Sequence, residues 1–201
     1  MNTTNLITDY LIIGIIGLFL LVCPIFMLIK PNMLFLLTFD VKNTAFWGVL
    51  LPVVTFGWGV IFNQIGDKVE DWILSLFSLK NELLNYEEQI KVETNFPHHY
   101  VLNFIVIKSE TGYDYISFRR TMIRIVRSVV CLLFGLPILH LAFAVVLKVC
   151  FKLNIEFSVF NLFLCAASWV CSYFLTRGLL KLYNGYYAAL SNFYLILSEK
   201  V

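Results

Sequence analysis

Long apolar stretches alternate along the chain with stretches whose apolar residues recur at fixed intervals. Four of the long stretches are nearly uninterrupted. The first, Leu11 to Ile29, reads LIIGIIGLFLLVCPIFMLI and ends at Lys30-Pro31. The second is Thr44 to Ile65, with Trp47 and Trp58 inside it, and the third is Val126 to Leu147. The fourth runs from about Phe157 to Leu175 and contains Trp169. A helix needs about 20 apolar residues to cross the bilayer hydrocarbon, so each stretch predicts a transmembrane helix. The expected organisation is a transmembrane hairpin over 1–65, a cytoplasmic segment over 66–125, a second transmembrane hairpin over 126–175 and a cytoplasmic C-terminal helix over 176–201.

The remaining stretches are periodic. Val69, Trp72, Leu76, Leu79, Leu83, Tyr86 and Ile90 are spaced 3-4-3-4-3-4, the seam of a helix that buries one stripe against another helix. Ile73, Phe77 and Leu84 widen that face, and Asn95 and Pro97 end the pattern. In the tail, Leu179, Tyr183, Tyr186, Leu190, Phe193 and Leu197 are spaced 4-3-4-3-4, broadened by Tyr187 and Tyr194. Two such helices on one side of a membrane would expose a large apolar area in water unless they packed together. Packing within one subunit and packing between subunits both satisfy them. A tail laid flat on the bilayer with its tyrosines at the headgroups is the competing arrangement.

Between these helices lies HHYVLNFIVIKSETGYDYISFRR. Its apolar run, Tyr100 to Ile107, is too short to span and is rich in Val, Ile, Phe and Tyr. SETG offers turn residues, and Tyr113, Tyr115 and Ser117 alternate with Asp114, Ile116 and Phe118. That combination predicts a β-hairpin, marginal unless it leans on helices or pairs with a partner. The fold class expected is therefore a mainly α membrane protein: four transmembrane helices and a small α+β cytoplasmic domain made of a long helix, a β-hairpin and a C-terminal helix.

Composition agrees with a membrane protein. The 201 residues are 60% hydrophobic and 14% charged, and the mean hydropathy is +0.82. Soluble domains are about 45–50% apolar and about 25% charged. Charge placement sets the orientation. Lys68, Lys80, Lys91, Lys108, Arg119, Arg120, Arg124 and Arg127, with Arg177, Lys181 and Lys200, put eleven basic residues on one side; Lys30, Lys42, Lys148 and Lys152 put four on the other. The richer side is expected to be cytoplasmic, with both termini there. The N-terminus carries no Lys or Arg before an apolar run too long for a signal-peptide core, so it is expected to stay as the first membrane helix.

Candidate chemistry is sparse. Five cysteines form no CxxC pair and no ligand spacing with histidine, and they read as small buried hydrophobes. His140, midway along the third stretch, is a candidate intramembrane polar site, because an ionisable group there is expensive to bury alone. Ser168 or Asn161 are its expected hydrogen-bond partners. Pro24, Pro52 and Pro137 interrupt three stretches, as kinks that neighbouring helices heal or as breaks lining a gate. His98-His99 lack a third ligand nearby and read as surface residues. Asn63 and Gln64 read as helix-end hydrogen-bonders. Arg119, Arg120, Arg124 and Arg127 stand beside the third stretch and are candidate anionic-lipid headgroup contacts, with no direct nucleic-acid binding expected. No nucleophile–base set, Gly-rich phosphate loop, HExxH or P-loop is present, so no catalytic residue, metal site or cofactor is expected and the chain reads as a non-enzyme.

The plan of four spans, cytoplasmic ends and an intervening cytoplasmic segment of about 60 residues resembles the small membrane subunits of prokaryotic antiviral defence systems, the KwaA component of Kiwa most of all. That resemblance implies a homo-oligomer of the inner membrane, a tetramer among its expected forms, that senses infection and engages a cytoplasmic, DNA-binding effector. It also implies that the two seams (Val69, Trp72, Leu76, Leu79, Leu83, Tyr86, and Leu179, Tyr183, Tyr186, Leu190, Phe193, Leu197) and the hairpin residues Tyr100, Leu102, Phe104, Tyr113 and Tyr115 form the assembly and docking surfaces. The alternative function is a membrane pore that depolarises the cell, motivated by the three prolines and His140.

Overall fold

The structure, a computed structural model, describes residues 7–18, 44–150 and 159–199. Six helices account for nearly all of them: α1 (Ile7–Leu18), α2 (Thr44–Leu76), α3 (Lys80–Thr94), α4 (His98–Lys108), α5 (Glu110–Cys150) and α6 (Val159–Ser198). Among the described residues there is no strand. The expected β-hairpin is therefore wrong. Tyr100–Ile107 belongs to α4, and the second run opens α5.

Local chemistry explains the correction. Pro97 sits at the N-cap of α4 with φ −66° and ψ 150°, and its carbonyl accepts from the Tyr100 and Val101 amides at 2.9 and 3.3 Å. Val101 and Ile105, four residues apart, are fully buried. Their β-branched side chains fill a helical face as readily as a pleated one, because tertiary burial outweighs a weak intrinsic preference. SETG is a helix start, not a turn. The Ser109 hydroxyl accepts the Gly112 amide at 3.0 Å, the N-cap bond to the third residue of α5. Glu110 stands in the first turn, where a negative charge suits the helix dipole. Gly112 sits in a tight space: a Cβ there would lie 3.1 Å from Ser109 Oγ, 3.2 Å from Ile105 and 3.2 Å from Phe193, so these side chains would have to give by a few tenths of an ångström.

The number of spans is also corrected. Among the described residues two helices are long and apolar enough to cross a membrane, within Glu110–Val146 and Asn161–Ser198. They contain the third apolar stretch up to Val146 and the fourth from Asn161; residues 157–158 of the fourth lie outside the described residues. Of the first stretch, residues 19–29 with Cys23 and Pro24 lie outside the described residues. The second belongs to α2, which is not one of these two helices. α5 has 41 residues, about 60 Å at 1.5 Å per residue and roughly twice the ~30 Å hydrocarbon layer. Only part of it can lie in lipid.

The chain divides into two compact units. The apolar unit takes the described residues of Met1–Lys68 together with Ser128–Phe174; the helical unit takes those of Val69–Arg127 and Leu175–Val201. In the apolar unit, α1 and α2 approach backbone to backbone. A Cβ on Gly14 would overlap the Thr55 carbonyl, and one on Gly59 would overlap the Tyr10 carbonyl. Glycine at both positions is what lets the two backbones come this close. α5 and α6 are tied by the Trp169 indole donating to the Phe134 carbonyl at 3.1 Å and the Ser172 hydroxyl donating to the Val130 carbonyl at 3.4 Å. The Phe134 and Trp169 rings stack with centroids 6.1 Å apart. Pro52 and Pro137 lie inside continuous helices, so neither breaks its helix.

The helical unit has its own core. Ile90, Val101, Ile105, Ile116, Ile123, Leu179, Tyr186, Tyr187 and Leu190 form one cluster, and Leu74, Leu79 and Leu180 a second. α2 stops at Leu76, and Ser78 adopts φ 58° before α3 begins. That break resets the helical phase.

Candidate functional site

The two heptad seams do not behave alike. Leu79, at the N-cap of α3, is buried, and Leu83 and Tyr86 on α3 pack against the core. On α6, Leu179, Tyr186 and Leu190 are buried, with Tyr183, Phe193 and Leu197 packed around them. These residues meet one another inside the unit. The first turns of the α2 seam face outward: Val69 is half-buried, and Trp72 and Leu76 are 54% and 56% exposed. Glu70, Ile73 and Leu74 occupy the buried side there instead. The break at Ser78 separates the two phases.

The residues expected in the hairpin are split by the helices. Leu102 packs on the core, and the Phe104 ring lies 5.1 Å from that of Tyr194. Tyr113 is half-buried, its amide bonded to the Ser109 carbonyl at 3.0 Å. Tyr100 and Tyr115 remain exposed. Tyr100 stacks on Phe96 with centroids 4.5 Å apart, and Phe96 meets Tyr194 at 5.9 Å. Val106 and Ile107 on α4 are also exposed.

The four arginines are likewise separated. Arg119 lies over the Tyr115 ring at 5.2 Å and donates to its hydroxyl. Arg120 is exposed and Arg124 half-buried. Arg127 is buried and pairs with Glu70 at 3.3 Å, both side chains 9% exposed. Sequence reading missed Glu70 as its partner. The signal was present in the stripe Gly112, Ile116, Ile123, Arg127, Val130 and Phe134 along α5, which puts Arg127 on the buried face. His140 is buried in the apolar unit. Ser168 donates to the Cys165 carbonyl of its own helix at 3.0 Å. Asp9, another ionisable residue passed over in the sequence, is buried in α1.

A polar cleft of about 120 Å³ opens between α3 and α6 within the helical unit, lined by Tyr86, Gln89, Ile90, Glu93, Asn184, Tyr187, Ala188 and Asn192. The Tyr187 hydroxyl donates to Glu87 at 2.7 Å and the Tyr86 hydroxyl to Glu82 at 3.0 Å. Glu82 also pairs with Arg177 at 3.5 Å. Partial burial, the bond to Glu82 and that carboxylate's charge push the Tyr86 phenol above its ordinary value. Among the described residues no group of three His, Cys, Asp or Glu side chains could hold a metal. No protein-family model, curated protein or solved structure matches this chain.

Proposed function

We propose that the chain is a non-enzymatic membrane scaffold or sensor, anchored by the apolar parts of α5 and α6, whose helical unit assembles with further copies and recruits a cytoplasmic protein. If α5 enters the bilayer and α6 returns, the segments before and after that pair lie on the same face. Arg119, Arg120, Arg124, Arg177 and Lys181 flank the pair on that face, against Lys148 and Lys152 between the helices, which favours the cytoplasmic side.

One observation carries the recruiting role. The helical unit spends most of its heptad residues on an internal core, yet the short helix α4 still presents Tyr100, Val106 and Ile107 at 47%, 44% and 80% exposure. We take these exposed apolar side chains, on a unit that already has a core, as its docking residues. The pore alternative draws its polar stripe from Asn161, Ser168 and Ser172. Both serines donate to backbone carbonyls, which supports the scaffold over the pore. The antiviral setting rests on the resemblance alone, and its four-span plan is not met, so the proposal keeps only the coarser role.

A photo-crosslinking residue at Ile107, installed in cells, tests the reading together with native mass measurement in mild detergent. Adducts larger than the monomer and an oligomeric mass are expected. A monomeric mass with no adduct from Ile107 would refute it.

A further inference from the structure

We propose that the cleft between α3 and α6 binds a guanidinium group, presented by an arginine side chain of a partner protein. The source of the group rests on the recruiting role above; the chemistry of the cleft does not.

The lining is complementary to one class of ligand. Two of its lining residues, Ile90 and Tyr187, are buried, 2% and 7% exposed, and Tyr86 is half-buried. The other polar residues that line it, Gln89, Glu93, Asn184 and Asn192, are exposed. No Lys or Arg lines it, so an anion would meet a carboxylate with no cation to offset it. Of the four α3 carboxylates, Glu88 is exposed and does not line the cleft, Glu82 is engaged by Tyr86 and Arg177, and Glu87 by Tyr187. Glu93 accepts from Gln89 through Oε1 at 3.1 Å. A cation entering here meets a carboxylate, amide carbonyls and aromatic faces.

Guanidinium fits this set better than ammonium or a metal ion. It is planar and weakly hydrated, it stacks on aromatic rings, and its forked donors reach several acceptors at once. An ammonium gives up a stronger hydration shell for the same few acceptors. A divalent metal would want more hard oxygen ligands than one carboxylate supplies. The volume, about 120 Å³, suits the head of a side chain rather than a drug-sized molecule, whose pockets span about 300–1,000 Å³.

The test uses the full chain in detergent micelles, with the side-chain amide NMR signals of Asn184, Asn192 and Gln89 as readout. The probe is N-acetyl-arginine methylamide, compared with the neutral citrulline counterpart, the lysine counterpart and free arginine. Saturable shifts at these amides are expected at millimolar probe, about the strength of a single small contact group. Glu93→Gln should weaken binding roughly threefold to fivefold, as for an exposed charge pair. Ala188→Trp, which fills the cleft, should abolish the shifts. Glu93 and Ala188 are exposed, so both variants keep the core. Equal binding of the citrulline probe, tighter binding of lysine, or no saturable shift would overturn the assignment. Tighter binding of free than of blocked arginine would overturn a protein source. The titration reads the isolated chain and the Ile107 crosslink reads assembly in cells, so either can fail without the other.

Discussion

Replacing Arg127 with Met should destabilise the protein far more than replacing an exposed arginine such as Arg120. The Arg127 guanidinium lies 3.3 Å from Glu70, with both side chains 9% exposed. At that separation the attraction is about 5 kcal/mol for an effective dielectric near 20, against a desolvation cost of several kcal/mol for each ion. The pair is therefore close to neutral as a unit, while removing one member leaves a buried charge. Loss of about 3–5 kcal/mol is expected for Arg127→Met, and a similar loss for Glu70→Leu. The double variant should recover most of it, because no uncompensated charge remains. The assay is thermal melting followed by circular dichroism in mild detergent for the two single variants, the double variant and Arg120→Met. Repeating it with and without anionic lipid separates burial from headgroup contact, since a headgroup arginine would respond to lipid charge and a buried one would not. A double variant as unstable as the sum of the singles, or an Arg127→Met effect that appears only with anionic lipid, refutes the buried-pair account.

Three further outcomes follow from the geometry. Gly59→Ala places a methyl on the Tyr10 carbonyl and should cost about 1–3 kcal/mol as α1 and α2 are forced apart, whereas Gly57→Ala, with open space around it, should be tolerated; melting temperatures compare them. Ser109→Ala removes the N-cap of α5 and should cost about 1 kcal/mol, with Ser109→Asp retaining stability; faster amide exchange over the first turn of α5 is the expected signature, and an unchanged exchange pattern would speak against the cap. The Tyr86 phenol, raised by burial and by Glu82, should ionise above an ordinary tyrosine in an ultraviolet titration, and Glu82→Gln should bring it part of the way down. Because its folded value exceeds its unfolded value of about 10, the stability it contributes is present below that pH and lost as pH rises through the raised value.

Some of this molecule is legible in its residues, and one error is instructive. The apolar length of the third stretch, and the heptad spacing of Leu79 to Ile90 and of the tail, follow from where apolar side chains sit. YVLNFIVI is apolar nearly all round, so neither a two-residue nor a 3.6-residue period stands out, and its β-branched content tips a sequence reading toward a strand. Ser109 compounds this, since SETG is equally good turn and N-cap chemistry. What separates the two is whether the chain past Gly112 pairs as a strand or buries a helical face, and here Ile116 and Ile123 are buried in the core of the helical unit.

Alone, the sequence determined that the chain is built of long apolar helices joined to heptad-patterned ones, with basic residues gathered beside the third apolar stretch, because apolar length and period are local properties. Only the tertiary structure decided that Tyr100–Phe118 is helical, that the α2 seam is rotated outward before Ser78, that Arg127 meets Glu70 rather than open solvent, and that Tyr86, Glu93 and Tyr187 share a cleft with Asn184 and Asn192. The physical reason is the same in each case. These outcomes are set by which faces are buried and which charges find partners, and residues fifty to a hundred positions apart make those contacts, as between Glu70 and Arg127 or Glu87 and Tyr187.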